Sequence, residues 1–212
     1  HKKRKGSRGG FFDRMAPDGT IWPGLESIDA ILDRLREKDA ELANIGDPIS
    51  GWSLDPIYYG DSRMSRADLD SVSTLRPIGV RHASGHIMNV NTKALELAGL
   101  LREGINHPGV PLGDDGLATG ELKGPDAMEL AARHVGLDRK TMSTDAWGLR
   151  QFGRLCVRQG VTTATDLANP LPPKAVEMML KVTGASDFPV CIVSLRRFQG
   201  MTPKELIERC VE

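Results

Sequence analysis

The sequence has few cysteines, no net charge and no long apolar run. Its 212 residues include three cysteines, Cys156, Cys191 and Cys210. They are far apart and odd in number, which argues against a disulfide framework or a cysteine-rich metal cluster. The 28 lysines and arginines balance 28 aspartates and glutamates. The net charge therefore gives no overall field to attract nucleic acid or an anionic membrane, and no apolar run approaches the roughly 20 residues that span a bilayer.

These absences indicate an ordinary globular protein from a reducing compartment. Hydrophobic residues make up 40% of the chain and charged residues 26%, which is typical of soluble domains. The length suffices for one large domain or two small ones. The basic N-terminal residues have no apolar segment behind them, so they do not form a secretory signal. We therefore expect a cytoplasmic protein whose cysteines are buried free thiols.

Residues 1–10 are rich in lysine, arginine and glycine and have no apolar periodicity. This composition predicts a flexible basic lead-in. A nucleic-acid-binding arm or a localisation signal is the alternative, but no aromatic residue in the segment supports it.

The apolar pattern predicts helices and short strands in the first two thirds of the chain. Apolar residues at helical spacing predict an amphipathic helix from Ser27 to about Ala43. Short strands are expected at 49–52 and 78–81, and Ser65 with Asp68 resembles a helix cap. Residues 100–123 are rich in glycine, proline and aspartate, which predicts a long loop or a hairpin at Asp115-Gly116.

The last third has a clearer β-α-β pattern. The expected elements are a helix at 144–159, a buried strand at 161–167, a helix that begins at Pro172-Pro173, a strand at 188–195 and a helix capped by Thr202 and Glu205. This order predicts parallel strands joined by a crossover helix. Two such units cannot close a sheet, so we expect the chain to be a piece of a larger fold.

A polar stretch from Arg81 to Leu122 is the best candidate for contact with a ligand. His82 and His86 lie four residues apart and follow the apolar run 77–80. Polar residues at the end of a buried strand are where α/β folds commonly build their sites. The two histidines would supply two metal ligands if the segment were helical, but Gly85 argues against a regular helix.

Several interpretations of these polar side chains stay open. His86 either faces a substrate or satisfies backbone groups nearby. Asn89 and Asn91 are typical of turns and caps, and Asn91 either caps a helix or contacts a ligand. Tyr58, with its neighbour Tyr59, either lines a pocket for an apolar acyl group or packs within a surface loop.

Seven short motifs, in this order and spacing, resemble the amidohydrolase 3 family and its YtcJ-like branch. Ser-Gly-His alone is a weak signal, but the seven together are a strong one. The motifs are Phe11-Phe12-Asp13-Arg14 with Trp22-Pro23-Gly24, Gly51-Trp52-Ser53-Leu54-Asp55-Pro56, Ser65-Arg66-Ala67-Asp68-Leu69-Asp70, Ser84-Gly85-His86, Asn89-Val90-Asn91, Asp115-Gly116 with Thr119-Gly120-Glu121-Leu122, and Gly160-Val161-Thr162-Thr163-Ala164-Thr165-Asp166.

The resemblance implies a metal-dependent hydrolase on a TIM-type (β/α) barrel with a small β-sandwich. Such enzymes cleave amide-like C–N bonds, formamides among them, with zinc or another divalent metal. A metal-bound hydroxide attacks a carbonyl carbon that the metal polarises. The family's first ligands are a His-x-His pair, which this chain lacks, and its further ligands lie on strands beyond the last residue. An acidic residue often follows the Thr-Gly-x-Leu motif by two positions, where this chain has Gly124.

We therefore expect an α/β chain that forms part of a TIM-type barrel. It would consist of an insertion region at 11–142 with the pocket loop, and a barrel segment at 143–212. The isolated chain would bind no metal and be inactive. An alternative is a module that has lost catalysis and binds a small molecule or a partner subunit.

The resemblance also implies roles for particular residues. His86, Asn89, Tyr58 and His82 would contact a small-molecule substrate, and Asp166, at the end of a buried strand, would hold a metal-ligating histidine in its correct tautomer. A local hydrogen bond is the alternative for Asp166. No nucleic acid or membrane partner is expected. Missing strands supplied by a second copy would make a homo-oligomer, since open sheet edges favour association.

Overall fold

The computed structural model describes residues 7–60, 62–138, 145–169 and 171–196, together with residues 202, 204 and 205. The chain forms two compact units. The first comprises His1–Arg14 and Trp22–Ser143, and the second Met15–Ile21 and Thr144–Glu212. The domain division expected from the sequence stays a prediction.

In chain order, the described strands are β1 (Ser7–Arg8), β2 (Arg14–Met15), β3 (Ile21–Trp22), β4 (Ile49–Leu54), β5 (Ile78–His82), β6 (Ile87–Val90), β7 (Glu121–Lys123), β8 (Thr163–Asn169) and β9 (Cys191–Arg196). The described helices are α1 (Ile28–Glu41), α2 (Arg66–Asp70), α3 (Thr92–Leu97), α4 (Gly124–Ala132), α5 (Ala146–Arg158) and α6 (Pro173–Thr183), with a 3₁₀ turn at Pro56–Tyr58. None of the helices in the described part of the chain has the length and apolarity to cross a membrane.

A five-stranded mixed sheet is the frame of the first unit. Its strand order is β1-β4-β5-β6-β7. The pairs β1–β4 and β4–β5 are parallel, whereas β5–β6 and β6–β7 are antiparallel. The strands β2 and β3 pair separately as a two-stranded sheet.

The prediction of a flexible lead-in through residue 10 is wrong for residues 7–10. Ser7 and Arg8 pair with Gly51 and Trp52, and the Gly9 amide donates to the Trp52 carbonyl at 2.8 Å. Backbone hydrogen bonds at a sheet edge need no apolar pattern, so the composition did not reveal this strand. Residues 1–6 lie outside the described residues.

Two apolar clusters cover the sheet. One includes Ile31 and Leu35 of α1 with Ile78 and Val80 of β5. The other joins strands β6 and β7 to α3 and α4. Gly79 lies between Ile78 and Val80 but faces the second cluster, where a Cβ on it would lie 2.6 Å from a methyl carbon of Val135. This close approach explains why a glycine stands within the strand.

The predicted helix starts are confirmed. Ser27 caps α1, and Ser65 with Asp68 forms a complete capping box at α2. Asn91 caps α3, as one of its two interpretations held. Its Oδ1 accepts from the amides of Ala94 and Ile78 at 3.0 Å, and its Nδ2 donates to the carbonyls of Ser73 and Arg76 at 2.8 Å. These four bonds use the whole amide, so Asn91 has no capacity left for a ligand.

Arg76 closes the C-terminal end of α1. Its side chain is 5% exposed and forms an ion pair with Asp39 through Nε. Nη2 donates to the Leu42 carbonyl at 2.7 Å, and Nη1 donates to the carbonyls of Asn44 and Asp47. The guanidinium thus binds carbonyls of the chain that leaves the helix.

The second unit contains a parallel β-α-β unit. The strands β8 and β9 pair in parallel and α6 joins them, as the sequence predicted. The exposure of the strands differs from the prediction of buried strands: Leu167 is 71% exposed and Leu195 51%. Parallel sheets normally have both faces covered. No described residue covers this apolar surface.

This exposure also corrects one of the cysteine predictions. Cys156 is buried and Cys191 is exposed, and both are free thiols. Cys191 was expected to be buried because its strand is apolar, but the strand surface is open. Cys210 lies outside the described residues. The predicted cap of the last helix is present, since the Thr202 amide donates to a Glu205 carboxylate oxygen at 2.7 Å, and the remainder of that helix lies outside the described residues.

Replacing Arg76 with methionine should lower the free energy of unfolding by about 3 kcal/mol, because it removes a buried charged donor from several acceptors. Arg36 is the matched control. It contacts Asp33 on the exposed face of α1 and its side chain is 45% exposed. Arg36→Met should change the stability by less than about 0.5 kcal/mol. Urea denaturation measures both variants, and equal losses would contradict the role of Arg76.

Candidate functional site

A narrow crevice in the first unit collects several of the polar side chains. We call it the polar crevice. Its polar wall consists of Ser62, Arg63, His82, Asn89 and Glu121, and its apolar wall of Ile28, Leu54, Pro56 and Met64. About 210 Å³ of space lies between the walls, including the part open to solvent. That space is divided too finely between the side chains to admit a water-sized sphere.

The strand register places the polar side chains together. Asn89 on β6 pairs with Val80 on β5 and with Glu121 on β7. Directly paired residues share a face of the sheet, and His82 lies two residues after Val80, so His82, Asn89 and Glu121 share one face. A bulge at Ser53, with φ of 74°, brings Leu54 into register with His82.

The hydrogen bonds of Asn89 determine the tautomer of His82. The Asn89 Nδ2 donates to the Met64 carbonyl at 2.7 Å, which directs its Oδ1 toward His82. That oxygen lies 2.6 Å from His82 Nε2. Because a carboxamide oxygen is only an acceptor, Nε2 must carry the proton and donate it.

His82 is neutral under ordinary conditions. Its residue is 5% exposed, and this burial lowers the pKa of the ring below its ordinary value of 6.5. The hydrogen bond to Asn89 and the charge of Glu121 oppose the shift but do not cancel it. The neutral ring carries a lone pair on Nδ1, and no donor among the described residues contacts that nitrogen.

Glu121 supplies a carboxylate to the polar crevice. Its side chain is 13% exposed, and it forms ion pairs with Arg63 at 3.1 Å and with Lys123 at 3.0 Å. Burial raises the pKa of Glu121, but the hydrogen bonds and charges of Lys123 and Arg63 outweigh it, so the pKa lies below its ordinary value. The carboxyl group is therefore ionised at neutral pH.

The structure brings two of the predicted site residues together, His82 and Asn89. His86 is exposed, and its carbonyl accepts a hydrogen bond from the Gly124 amide at 2.8 Å. Tyr58 is 45% exposed and stacks on Phe11 with ring centroids 5.2 Å apart. Neither His86 nor Tyr58 lines the polar crevice. Their roles in substrate binding stay predictions.

The position predicted for Asp166 is wrong. Asp166 lies within β8, three residues before its end at Asn169, and is exposed. It pairs in register with Ser194. The strand continues past the apolar run because the register shifts after Asp166 and the pairing resumes at Asn169. The proposed contact with a metal-ligating histidine stays a prediction.

The sequence did not single out Glu121 and Arg63. Glu121 stood within a quoted motif but fell in a segment predicted as a long loop or a hairpin, and it belongs to the short strand β7. The available signal was the alternation of polar, apolar and polar residues at Glu121, Leu122 and Lys123. Arg63 lies in an irregular segment, and no local pattern indicates its partner.

The described residues do not fit a catalytic metal. Among them, no group of three or more His, Cys, Asp or Glu side chains is placed to hold an ion. His82 directs its Nε2 proton at Asn89, which leaves it a single nitrogen lone pair. The turn at Gly85, with φ of 75°, separates it from His86. A hydrolytic zinc centre needs about three protein ligands, so no reaction step is assigned to a metal here.

The mixed sheet and the parallel β-α-β unit together define a mixed α/β protein. The model of the amidohydrolase family matches residues 15–212. The chain belongs to this family. No curated protein matches it.

Two solved structures are similar to the chain. One is an uncharacterized metal-dependent hydrolase from Pyrococcus horikoshii OT3, with 17% identity, a TM-score of 0.43, and coverage of 88% of this chain and 33% of that chain. The other is an uncharacterized metal-dependent hydrolase from Pyrococcus furiosus, with 15% identity, a TM-score of 0.42, and coverage of 89% and 37%. The chain thus spans about a third of the length of these structures.

The depressed pKa of His82 predicts a loss of stability in weak acid. In the unfolded chain the ring takes up a proton near its ordinary pKa of 6.5, whereas the folded ring resists it. The stabilisation is therefore complete above about pH 6.5 and is lost as the pH falls through the folded pKa. His82→Gln keeps an N–H donor for Asn89 but does not titrate, so its stability should fall less between about pH 7 and pH 5.5.

Thermal unfolding at several pH values measures the difference between the two proteins. His86→Gln is the control, because His86 is exposed, and it should follow the wild-type curve. If His82→Gln also followed that curve, the buried neutral ring would be the wrong description.

Proposed function

We propose that this chain is a segment of a metal-dependent amidohydrolase that hydrolyses an amide-like C–N bond. The polar crevice would form part of the wall of its substrate pocket. The family match over residues 15–212 carries the proposal. The expected partner is a small-molecule substrate, with no role for nucleic acid or a membrane, and a cytoplasmic location stays a prediction.

The open surface of β8 and β9 supports the view that the chain is part of a larger barrel. The exposed side chains Leu167, Val193 and Leu195 lie on this parallel pair. Such a sheet is stable when both faces are buried, and further strands of a TIM-type barrel would bury these side chains. Among the described residues, no group of three or more His, Cys, Asp or Glu side chains is placed to bind a metal ion. We therefore assign them substrate contact and the frame of the pocket.

The described residues can contribute to hydrolysis without a metal ligand of their own. The polar crevice offers a neutral imidazole and a carboxylate, and both accept hydrogen bonds. An amide substrate carries donors on its nitrogen side, which these acceptors can bind and orient. Positioning of this kind lowers the barrier to a reaction by holding the reacting groups in place.

We expect the isolated chain to be inactive. The purified 212-residue protein should contain less than about 0.1 equivalent of zinc by elemental analysis, because a tight site needs about three ligands. It should also fail to release amine from simple formamides with zinc or manganese added. Stoichiometric zinc together with zinc-dependent hydrolysis by this chain would overturn the proposal.

The genomic sequence around this reading frame is a second, independent measurement. If the chain is a segment of an amidohydrolase, we expect a His-x-His strand to be encoded upstream and histidine-bearing strands downstream. Their absence would favour the alternative, a non-catalytic module that binds a small molecule or a subunit. The observation that supports this alternative is a polar crevice whose described residues include no set of three metal ligands. Sedimentation at several concentrations tests the further alternative that second copies supply the missing strands, and a concentration-independent monomer would exclude it.

A further inference from the structure

We propose that the polar crevice binds the ammonium or amidinium group of a ligand, and that Arg63 occupies its place in the structure described here. The proposal rests on the proposed function in one respect: it names the chemistry of the substrate end that this wall would contact. The binding site itself is inferred from the geometry of the crevice.

Apart from the Ser62 hydroxyl and Arg63 itself, the polar side chains of the crevice wall have no free donor to offer a ligand. The Nε2 proton of His82 is used by Asn89, and the Nδ2 of Asn89 is used by Met64. Among the charged groups of the wall, this leaves the carboxylate of Glu121 as the acceptor, with its side chain 13% exposed. A largely buried negative charge favours a ligand that donates hydrogen bonds and is positively charged.

Arg63 already occupies this position as a cation. Its Nη1 donates to both carboxylate oxygens of Glu121, to Oε2 at 3.1 Å and to Oε1 at 3.4 Å, and Lys123 contacts Oε1 at 3.0 Å. The Arg63 side chain is 66% exposed and the Glu121 side chain 13%. An exposed partner in an ion pair contributes little to stability. Arg63 can therefore move into solvent and leave the Glu121 carboxylate to a ligand.

The apolar wall fits the remainder of such a ligand. Leu54 and Met64 are 1% and 4% exposed, and with Ile28 and Pro56 they line the crevice opposite the polar groups. A short alkyl stem would bury apolar surface there. Because Arg63 lines the crevice and pairs with Glu121, a ligand cation can pair with Glu121 there when Arg63 moves away. A ligand cation and Arg63 must therefore compete.

The competition can be tested with n-butylammonium and the full 212-residue chain. Amide chemical shifts of residues 62–64, 82, 89 and 121 would follow its binding by NMR titration. Arg63→Gln should lower the Kd at least threefold, because it removes the competing cation. Glu121→Gln should raise the Kd at least tenfold, because it removes the charge. Butyrate and 1-butanol, which have the same stem, should bind at least tenfold more weakly than n-butylammonium.

Glu96→Gln is the matched control for Glu121→Gln. Glu96 pairs with Lys93 at 3.0 Å on the exposed face of α3, and the variant should bind n-butylammonium as the wild type does. Equal binding of butyrate, wild-type affinity in Glu121→Gln, or weaker binding in Arg63→Gln would each overturn the proposal. If Glu121→Gln did not fold, the Arg63→Gln comparison would still decide.

The binding titration is independent of hydrolysis. If n-butylammonium failed to bind while the flanking sequence supplied the family's metal-binding strands, the ligand assignment would be wrong and the proposed function would stand. If n-butylammonium bound while those strands were absent, the ligand assignment would stand and the proposed function would be wrong.

Discussion

The two-residue alternation of side chains across β5, β6 and β7 is the constraint on which the first unit depends. Because Val80, Asn89 and Glu121 lie in register, one face of the sheet receives the apolar residues that contact α1 and, beyond them, the polar crevice. A shift of one residue would exchange the faces. It would bury Arg81 in the first apolar cluster and separate His82 from Asn89. The core and the candidate site therefore share a single structural cause.

Much of the fold could be predicted from local patterns. The amphipathic spacing in α1, the capping box at Ser65 and the parallel pair β8–β9 follow from interactions between residues close in sequence or from a familiar connection. Strand β6 was not predicted, and β7 fell within a segment predicted as a long loop or a hairpin. Each strand carries a polar residue, Asn89 or Glu121, at a position that a buried strand usually gives to an apolar one, and each is too short to show a clear alternation. Tertiary pairing, not local propensity, makes them strands.

The candidate site was predicted in part, for the same reason. His82 and Asn89 were identified because polar side chains at the end of an apolar run are conspicuous. Their partners, the Met64 carbonyl and the Glu121 carboxylate, lie 25 and 32 residues away from Asn89 along the chain. Which face each side chain occupies depends on the pairing of strands, and this could not be read from the spacing alone. His86 lies in the turn before β6 and Tyr58 lies in an aromatic cluster, and neither lines the polar crevice.

The contact between Gly79 and Val135 has a consequence for how this chain can vary. No space for even one carbon atom separates them, so the Val135 side chain, in the segment that follows α4, packs directly on the backbone of β5. Either position alone tolerates little enlargement, but a gain in volume at one can be offset by a reduction at the other. Among related chains, the two sites should therefore covary in size, with an alanine at the first accompanied by a smaller residue at the second.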